Sequence, residues 1–359
     1  MKTTASPIET IPTTARAARF YGPRDVRIED VPVPAPGPGE ILVRVLVATT
    51  CGTDLKAYRR GHPVLLGELP AAFGHEYVGE IVAVGAEIFA WRPGMRVVGA
   101  NSAPCGVCYF CRRERESLCE RLVLWNGAYA EYALIPAHIV QRNLYTLPPG
   151  LDADAAALTE PLACALHGVD DADVRAGDTV AILGDGALGL LLLGAARLRG
   201  ARVLVAGHRP ERLALARRWG AEVVLEVPAA ESAEAQAGAI RAHTEKARGA
   251  DVVFEAVGRP EIWQAAALAV RPGGTVDLFG GCPSGTSARF DTYALHYEER
   301  TLKGTFHHTP RHFAAALDAI ASGAVRTADL LSGNVPLDGL VSALERLEGG
   351  EGIKYAVRP

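Results

Sequence analysis

The sequence predicts an α/β fold in which a doubly wound parallel sheet of the Rossmann type is inserted into a mostly β domain. From residue 18 to about residue 140, short strand-like runs are separated by glycine and proline. From about Asp154, helical stretches rich in Ala, Leu and Arg alternate with β-branched strands, a pattern typical of a parallel βαβ sheet. The 359 residues are enough for two domains, at roughly 100 to 200 residues each.

The same pattern predicts where the domains begin and end. Strands of the parallel sheet are predicted at residues 179–183, 203–205, 251–255 and 275–279, with helices between them. After about residue 295 the alternation stops, and a strand-like ending near residues 354–357 is expected to return to the first domain. We therefore predict a catalytic domain of residues 18–152 and 296–359 and a cofactor domain of residues 153–295. Residues 1–17 are predicted to form a disordered tail.

Charge and hydropathy exclude several classes of partner. The formal net charge is -4 and the basic runs are short and interrupted, so nucleic acid is not an expected partner. No apolar run approaches the roughly 20 residues that a membrane-spanning helix needs, and the first residues lack the apolar segment of a secretory signal. We expect a cytoplasmic protein with no membrane partner.

A dinucleotide-binding loop follows the first strand of the predicted parallel sheet. The motif G-x-G-x-x-G is formed by Gly184, Gly186 and Gly189, and Ala187 and Leu188 begin the helix after it. The first glycine permits a tight turn, the second lets the backbone approach a pyrophosphate, and the third allows close packing of helix and strand. The N-terminus of the helix then faces the phosphates.

The end of the next strand predicts the choice of cofactor. An acidic residue usually binds the adenosine ribose there, but this chain has Gly207, followed by His208, Arg209 and, further on, Arg212. Gly207 leaves space for a 2′-phosphate and the basic side chains can bind it, which favours NADP over NAD. The alternative is that the arginines are solvated and that NAD binds through backbone contacts and Glu211.

Four of the seven cysteines predict a structural zinc site. Cys105, Cys108, Cys111 and Cys119 lie in one loop-like segment, and no signal peptide precedes them to direct the chain to an oxidising compartment. Four thiolates form a closed tetrahedral zinc site with no open position. An iron–sulfur cluster uses the same ligands, but no other feature of the sequence indicates electron transfer.

A second metal site is predicted from the segments that begin at Cys51 and Gly74. Catalytic zinc takes about three N, S or O ligands and leaves one position open. Cys51 and His75 can supply two of these ligands, and Glu76 follows directly. Each residue alone is more typical of a protein core, but together with the cysteine segment and the glycine loop they indicate a catalytic metal.

These motifs resemble those of the zinc-containing medium-chain dehydrogenases, the family of alcohol, sorbitol and threonine dehydrogenases. The resemblance extends over nearly the whole chain after the tail. It is carried by residues 51–54, residues 74–79, the cysteine segment near residues 100–122, residues 159–165 and the glycine loop.

The resemblance implies a GroES-like catalytic domain, two zinc ions per chain and a homodimer or homotetramer. It implies that Cys51 and His75 bind the catalytic zinc and that Glu160 or Glu76 completes the ligand set, without ranking the two. It further implies that Val257 and Phe279 line the cofactor.

The expected reaction is hydride transfer between a primary or secondary alcohol or polyol, or the matching carbonyl, and NADP(H) or NAD(H). Thr53 is the expected first proton carrier, because a hydroxyl can both accept and donate a proton. A histidine often follows the zinc-binding cysteine by five residues in the family, and here that residue is Lys56. The competing interpretations are a zinc-free quinone or enone reductase of the same superfamily and a non-enzymatic redox sensor that binds zinc and nucleotide.

Overall fold

Residues 10–62, 66–228 and 230–359 are described in the computed structural model of the chain. Their contacts divide the chain into two units. The first unit comprises Met1–Ala103, Val123–Ala157 and Leu331–Pro359, and the second comprises Pro104–Leu122 and Leu158–Leu330. No helix among the described residues is long and apolar enough to cross a membrane.

The first unit begins with strands and short helices. In chain order these are β1 (Thr14–Gly22), β2 (Asp25–Pro32), β3 (Ile41–Thr49), α1 (Gly52–Arg60), β4 (Ala71–Ala72), β5 (Tyr77–Val84), β6 (Arg96–Gly99), β7 (Tyr132–Ile135), α2 (Ala137–Arg142), β8 (Leu144–Thr146) and α3 (Ala153–Ala156).

The second unit alternates strands and helices, as the sequence predicts. Its elements are α4 (Thr159–Asp171), β9 (Thr179–Leu183), α5 (Ala187–Leu198), β10 (Arg202–Gly207), α6 (Pro210–Arg218), β11 (Val223–Glu226), α7 (Ala233–Arg241), β12 (Ala250–Glu255), α8 (Pro260–Ala269), β13 (Val270–Leu278), α9 (Thr292–Tyr297), β14 (Thr301–Lys303) and α10 (Pro310–Ala321).

The six strands of the second unit form one parallel sheet in the order β11-β10-β9-β12-β13-β14. This is the strand order of a doubly wound dinucleotide-binding fold, in which the direction of winding reverses between the first and fourth strands. Ligands bind at the carboxyl ends of the strands beside that reversal, which here lies between β9 and β12.

After the second unit the chain re-enters the first, through β15 (Leu331–Pro336), α11 (Leu340–Glu348) and β16 (Lys354–Arg358). The larger sheet of the first unit has the order β15-β16-β3-β5-β6-β8, and β7 also pairs with β3. A smaller sheet has the order β2-β1-β4. Large side chains such as Phe73, Tyr77 and Tyr129 are fully buried in the core of this unit.

The division into units differs from the predicted one in three main places. The cysteine segment, Pro104–Leu122, lies in the second unit and not with the rest of residues 18–152. β1 begins at Thr14, so the last part of the predicted tail is a strand, whereas residues 1–9 lie outside the described residues. Residues 296–330 belong to the second unit, because β14 extends its sheet beside β13 and α10 lies in the same unit. β1 is a strand through its pairing with β2, and β14 has only three residues at the edge of its sheet, too few for a sequence pattern to show alternation.

Candidate active site

Cys51, His75 and Glu76 form a cluster of ligand atoms in the first unit. One atom of each lies within 4.8 Å of the others. Cys51 caps the N-terminus of α1, where its Sγ accepts a hydrogen bond from the backbone N–H of Thr53 at 3.4 Å. The backbone N–H of Cys51 donates to Asp54 Oδ2 at 3.0 Å, so the helix start holds the sulfur in place. Thiolate, imidazole and carboxylate are the ligands that zinc binds in proteins, and this donor set fits that ion.

His75 is oriented by a buried aspartate. Its Nδ1 lies 3.2 Å from Asp54 Oδ1, and Tyr129 donates from its hydroxyl to Asp54 Oδ2 at 2.5 Å. Burial opposes protonation of His75, but Asp54 raises its pKa well above the ordinary value. A carboxylate on the far ring nitrogen is the usual support of a metal-binding histidine, since it fixes the ring and makes the other nitrogen more basic.

The carboxylate of Glu76 is fully buried and has a cationic partner. Lys354 Nζ lies 2.9 Å from Oε1 and 2.8 Å from Oε2, and the hydroxyl of Thr49 donates to Oε2. Burial lowers the pKa of Lys354, but the charges of Glu76, Cys51 and Asp54, together with the hydrogen bond to Glu76, raise it above its ordinary value. Sequence reasoning missed Lys354. The only signal is a lysine inside the apolar strand β16.

Glu160 lies in the second unit, in the first turn of α4. It is buried, and its Oε1 lies 3.6 Å from Cys164 Sγ, 4.0 Å from His307 Nδ1 and 3.9 Å from His308 Nε2. Glu160, Cys164 and His307 form a second group whose ligand atoms lie within 4.8 Å of one another. The structure therefore places the two predicted carboxylate ligands in separate clusters, one in each unit.

The side chains of His307 and His308 do not point in opposite directions, as neighbouring side chains on a strand would. Neighbouring side chains on a strand point to opposite faces, so we expect His307 and His308 to diverge. They follow β14 in a loop, where His307 has a positive φ of 62° and the two ring centroids are 3.9 Å apart. Both rings therefore approach the carboxylate of Glu160.

The four predicted zinc-binding cysteines come together in the second unit. Cys108 Sγ lies 3.4 Å from Cys111 Sγ and 3.9 Å from Cys119 Sγ, and Cys105 Sγ lies 4.0 Å from Cys111 Sγ. A zinc tetrahedron with bonds of about 2.3 Å has sulfur–sulfur edges of about 3.8 Å, so these separations fit the ion. Hydrogen bonds from backbone N–H groups, chiefly that of Cys111, lower the pKa of Cys108 to about 6.

The glycine loop has the geometry that a pyrophosphate requires. Gly184 follows β9 with a φ of 129°, and a Cβ at Gly189 would lie 2.0 Å from the carbonyl oxygen of Gly184. Gly186 caps α5 and has no atom within 4 Å of the position of a Cβ, which leaves room for a ligand against the backbone. Ala187 and Leu188 form the first turn of the helix.

A cleft of about 230 Å³ extends from this loop. Its wall includes Gly184, Gly186, Gly207, His208, Arg212 and Val257. Of the other predicted cofactor residues, Arg209 caps α6, and the ring of Phe279 lies 2.7 Å from where a Cβ on Gly168 would be.

The space beside Gly207 is occupied, in contrast to the sequence prediction. A Cβ at Gly207 would lie 2.5 Å from Cβ, Cγ and Oδ2 of Asp185, the residue between the first two glycines of the loop. Asp185 is buried, and its Oδ2 accepts hydrogen bonds from the backbone N–H groups of His208 at 2.8 Å and Arg209 at 2.7 Å. Gly207 therefore makes room for Asp185, so open space at this position does not favour NADP.

Comparison with known proteins shows the family. The alcohol dehydrogenase GroES-like domain matches residues 37–146, and the zinc-binding dehydrogenase domain matches residues 187–322. Sorbitol dehydrogenase of Bacillus subtilis is 30% identical over 344 residues, which cover 94% of each chain.

Two solved structures show the same fold over nearly the whole chain. A zinc-binding dehydrogenase of Sinorhizobium meliloti bound to NADP is 30% identical, with a TM-score of 0.87 over 97% of this chain and 100% of the other. Acetophenone reductase of Geotrichum candidum in complex with NAD is 26% identical, with a TM-score of 0.82 over 98% and 99%. This chain belongs to the zinc-dependent medium-chain alcohol and polyol dehydrogenases, oxidoreductases that act on CH–OH groups with a nicotinamide cofactor.

Proposed function

We propose that this protein oxidises a polyol or a related primary or secondary alcohol, or reduces the matching carbonyl, with transfer of a hydride to or from NAD(P). The observation that carries the proposal is the cluster of Cys51, His75 and Glu76, whose S, N and O atoms suit a zinc ion. The polyol substrate class is supported by the likeness to sorbitol dehydrogenase over 94% of the chain.

In this proposal Cys51 and His75 hold the catalytic zinc, and Glu76 or Glu160 completes the ligand set. When bound, zinc supplies Lewis acidity, which favours loss of the alcohol proton near neutral pH. The start of α1 holds the thiolate of Cys51, and Asp54 fixes the ring of His75. Lys354 pairs with Glu76 in a buried setting, and this carboxylate suits either a metal ligand or a group close to the metal.

Thr53 is proposed as the first proton carrier. It lies in the first turn of α1, half-buried and two residues after Cys51, and its hydroxyl can accept one proton while donating another. Replacing Thr53 with serine keeps the hydroxyl, whereas valine keeps the shape without it. We expect the valine variant to lose about 10²-fold or more in kcat and the serine variant to keep most of it, as measured by cofactor reduction. Equal losses in the two variants would contradict the relay.

The glycine loop and the start of α5 are proposed to bind the cofactor pyrophosphate. Gly186 leaves the backbone open, and the positive end of the helix dipole attracts the phosphates. Cys105, Cys108, Cys111 and Cys119 are proposed to hold a second, structural zinc ion. Their closed donor set leaves no position for a substrate.

The first experiment measures zinc per chain together with cofactor reduction on a panel of alcohols and polyols. We expect two zinc ions and turnover on polyols. Cys51→Ser should lose one zinc and the activity, and Glu76→Gln compared with Glu160→Gln should show which carboxylate is needed to retain that zinc. One zinc ion in the unmodified protein, with reduction of quinones or enones and no alcohol oxidation, would overturn the proposal in favour of a zinc-free reductase.

We further propose that the protein is a cytoplasmic homodimer or homotetramer. The seven free cysteines suit a reducing compartment. Tyr293 and Tyr297 are 62% and 70% exposed in the second unit and offer apolar surface for contact between subunits. Light scattering coupled to size-exclusion chromatography tests the assembly, and a monomeric mass at micromolar concentration would contradict it.

A further inference from the structure

The cofactor cleft lacks an acidic residue where dinucleotide-binding folds commonly carry one. An Asp or Glu at the end of the second strand hydrogen-bonds the adenosine ribose hydroxyls. In this chain the second strand is β10, which ends at Gly207 and is followed by His208 and Arg209. The strand end itself therefore offers no carboxylate to the ribose.

A carboxylate nevertheless lies beside this strand end. Asp185 comes from the glycine loop, and its side-chain atoms are 2.5 Å from where a Cβ on Gly207 would stand. Its Oδ2 accepts two hydrogen bonds, from the backbone N–H groups of His208 and Arg209, while Oδ1 takes part in neither of these bonds. Asp185, Gly207 and His208 all line the cofactor cleft.

We propose that Asp185 replaces the acidic residue missing from the end of β10, so that it binds the adenosine ribose hydroxyls and makes the site select NAD over NADP. This inference rests on the proposed nicotinamide-dependent function and adds the residue that sets cofactor choice. From the sequence alone, an aspartate in the glycine loop indicates no particular function. The contact between Asp185 and Gly207 is what indicates a role in binding the ribose.

Two physical effects oppose a 2′-phosphate at this position. A phosphate bound at a turn is commonly held by backbone N–H groups, but those of His208 and Arg209 already donate to Asp185. The carboxylate also repels the charge of the phosphate, and this repulsion is strong in a partly buried cleft. The ribose hydroxyls of NAD are attracted to this carboxylate instead, because they can donate hydrogen bonds to it.

The nearby arginine does not remove this preference. Arg212 is half-buried on α6 and lines the same cleft. Burial lowers the pKa of Arg212, and the charge of Asp185 partly offsets that effect. Asp185 therefore already acts on Arg212 as a counter-anion, and a 2′-phosphate would have to share this cation with a carboxylate.

The test measures binding of NAD and NADP to the full-length protein by calorimetry, without any alcohol. We expect the unmodified protein to bind NAD about 10-fold or more tightly than NADP. Asp185→Asn removes the charge while keeping the shape, and it should shift the ratio of dissociation constants toward NADP by roughly 10- to 100-fold. Glu222→Gln is the matched control. This substitution removes one charge from an exposed ion pair between Glu222 and Arg202, at the start of β10 and therefore at the opposite end of that strand from Gly207. It should leave the ratio of the NAD and NADP dissociation constants unchanged.

Two results would overturn the inference. The first is equal or tighter binding of NADP by the unmodified protein. The second is a preference for NAD that Asp185→Asn leaves intact. Because Asp185 also supports the loop, Asp185→Ser provides a second variant, and 5′-AMP compared with 2′,5′-ADP tests the unmodified protein without any substitution. Tighter binding of 5′-AMP supports the inference, and tighter binding of 2′,5′-ADP contradicts it.

Measurements of cofactor binding also distinguish a failure of this inference from a failure of the proposed function. A protein that binds NAD in preference to NADP, but oxidises no alcohol, keeps the role of Asp185 and loses the dehydrogenase assignment. A protein that oxidises polyols with NADP in preference to NAD keeps the assignment and loses the role of Asp185.

Discussion

At the scale of single residues, the pair formed by Lys354 and Glu76 has a large energetic consequence. Both side chains are almost completely buried, so each charge depends on the other for compensation. A buried pair adds little net stability compared with apolar residues, but removing one partner leaves an uncompensated charge in the core.

We therefore expect Lys354→Met to destabilise the zinc-free first unit by about 3–5 kcal/mol. Thermal unfolding of the chelated protein measures the effect. Adding Glu76→Gln to the same variant removes the orphaned charge and should restore most of the loss. If the double variant is no more stable than Lys354→Met alone, the unpaired charge is not the cause.

Asp277 is expected to make the stability of the second unit depend on pH. Burial raises the pKa of Asp277 from 3.8 to about 6, although hydrogen bonds from Thr305 and the charge of Lys303 oppose the rise. The folded state therefore binds a proton more tightly than the unfolded state does. Its contribution to stability is present below about pH 4 and is lost as the pH rises to about 6.

Asp277→Asn should remove the loss of stability that accompanies ionisation of Asp277. Above pH 6 we expect the second unit of this variant to be more stable than the unmodified one by up to about 3 kcal/mol, because no buried charge has to form. Urea unfolding from about pH 4 to about pH 8 measures this difference. Asp173→Asn changes an exposed carboxylate and serves as the control. A variant with the pH profile of the unmodified protein would exclude Asp277 as the cause.

Site residues with a regular spacing could be predicted from the sequence, whereas those that act through a distant partner could not. The four clustered cysteines and the glycine loop are local patterns, and the structure brings the members of each together. Lys354 meets Glu76 across 278 positions of the chain. Asp185 was present in the motif, but its contact with Gly207 requires β9 and β10 to be neighbours.

At the scale of elements, the cysteine segment has almost no regular structure of its own. It contains only two short turns of 3₁₀ helix, Cys111–Arg113 and Glu116–Leu118, and it exposes Val107 and Tyr109. A segment with so little apolar burial depends on its metal for folding energy. An ion pair between Arg115 and Asp171 connects it to α4.

We expect Cys111→Ser to reduce the zinc content from two ions to one and to increase protease cleavage within residues 104–122. The cause is loss of the fourth thiolate, because a structural site needs all four ligands. Metal analysis and limited proteolysis measure the two effects. Cys282 lies outside all three groups of ligand atoms, so Cys282→Ser should keep both zinc ions. Retention of both ions in Cys111→Ser would contradict the assignment.

Element type was easier to predict than element boundaries. The long parallel strands have apolar runs bounded by glycine and separated by helices, so the alternation reveals them. β1 begins within the predicted tail because its pairing with β2, rather than its own composition, makes it a strand. β14 has only three residues and belongs to the sheet through its contact with β13.

At the scale of the whole molecule, the two units differ in how many separate stretches of the chain form their main sheets. Every strand of the parallel sheet lies between residues 158 and 330, in one continuous stretch. The larger sheet of the first unit needs β15 and β16 from the end of the chain, and β16 pairs with β3. The first unit therefore depends on contacts between residues that are far apart in sequence, which are slow to form.

This division predicts that the parallel sheet of the second unit folds as a single fragment, whereas the larger sheet of the first unit does not. Residues 158–330 contain a complete sheet with helices between its strands, and we expect this fragment to unfold cooperatively in urea. Residues 1–157 lack β16, so Thr49 loses its strand partner and Glu76 stays buried without Lys354. We expect no cooperative transition from that fragment alone, as followed by circular dichroism, and a gain of structure when a peptide of residues 331–359 is added. A cooperative transition of residues 1–157 without the peptide would show that the returning strand is not needed for the first unit to fold.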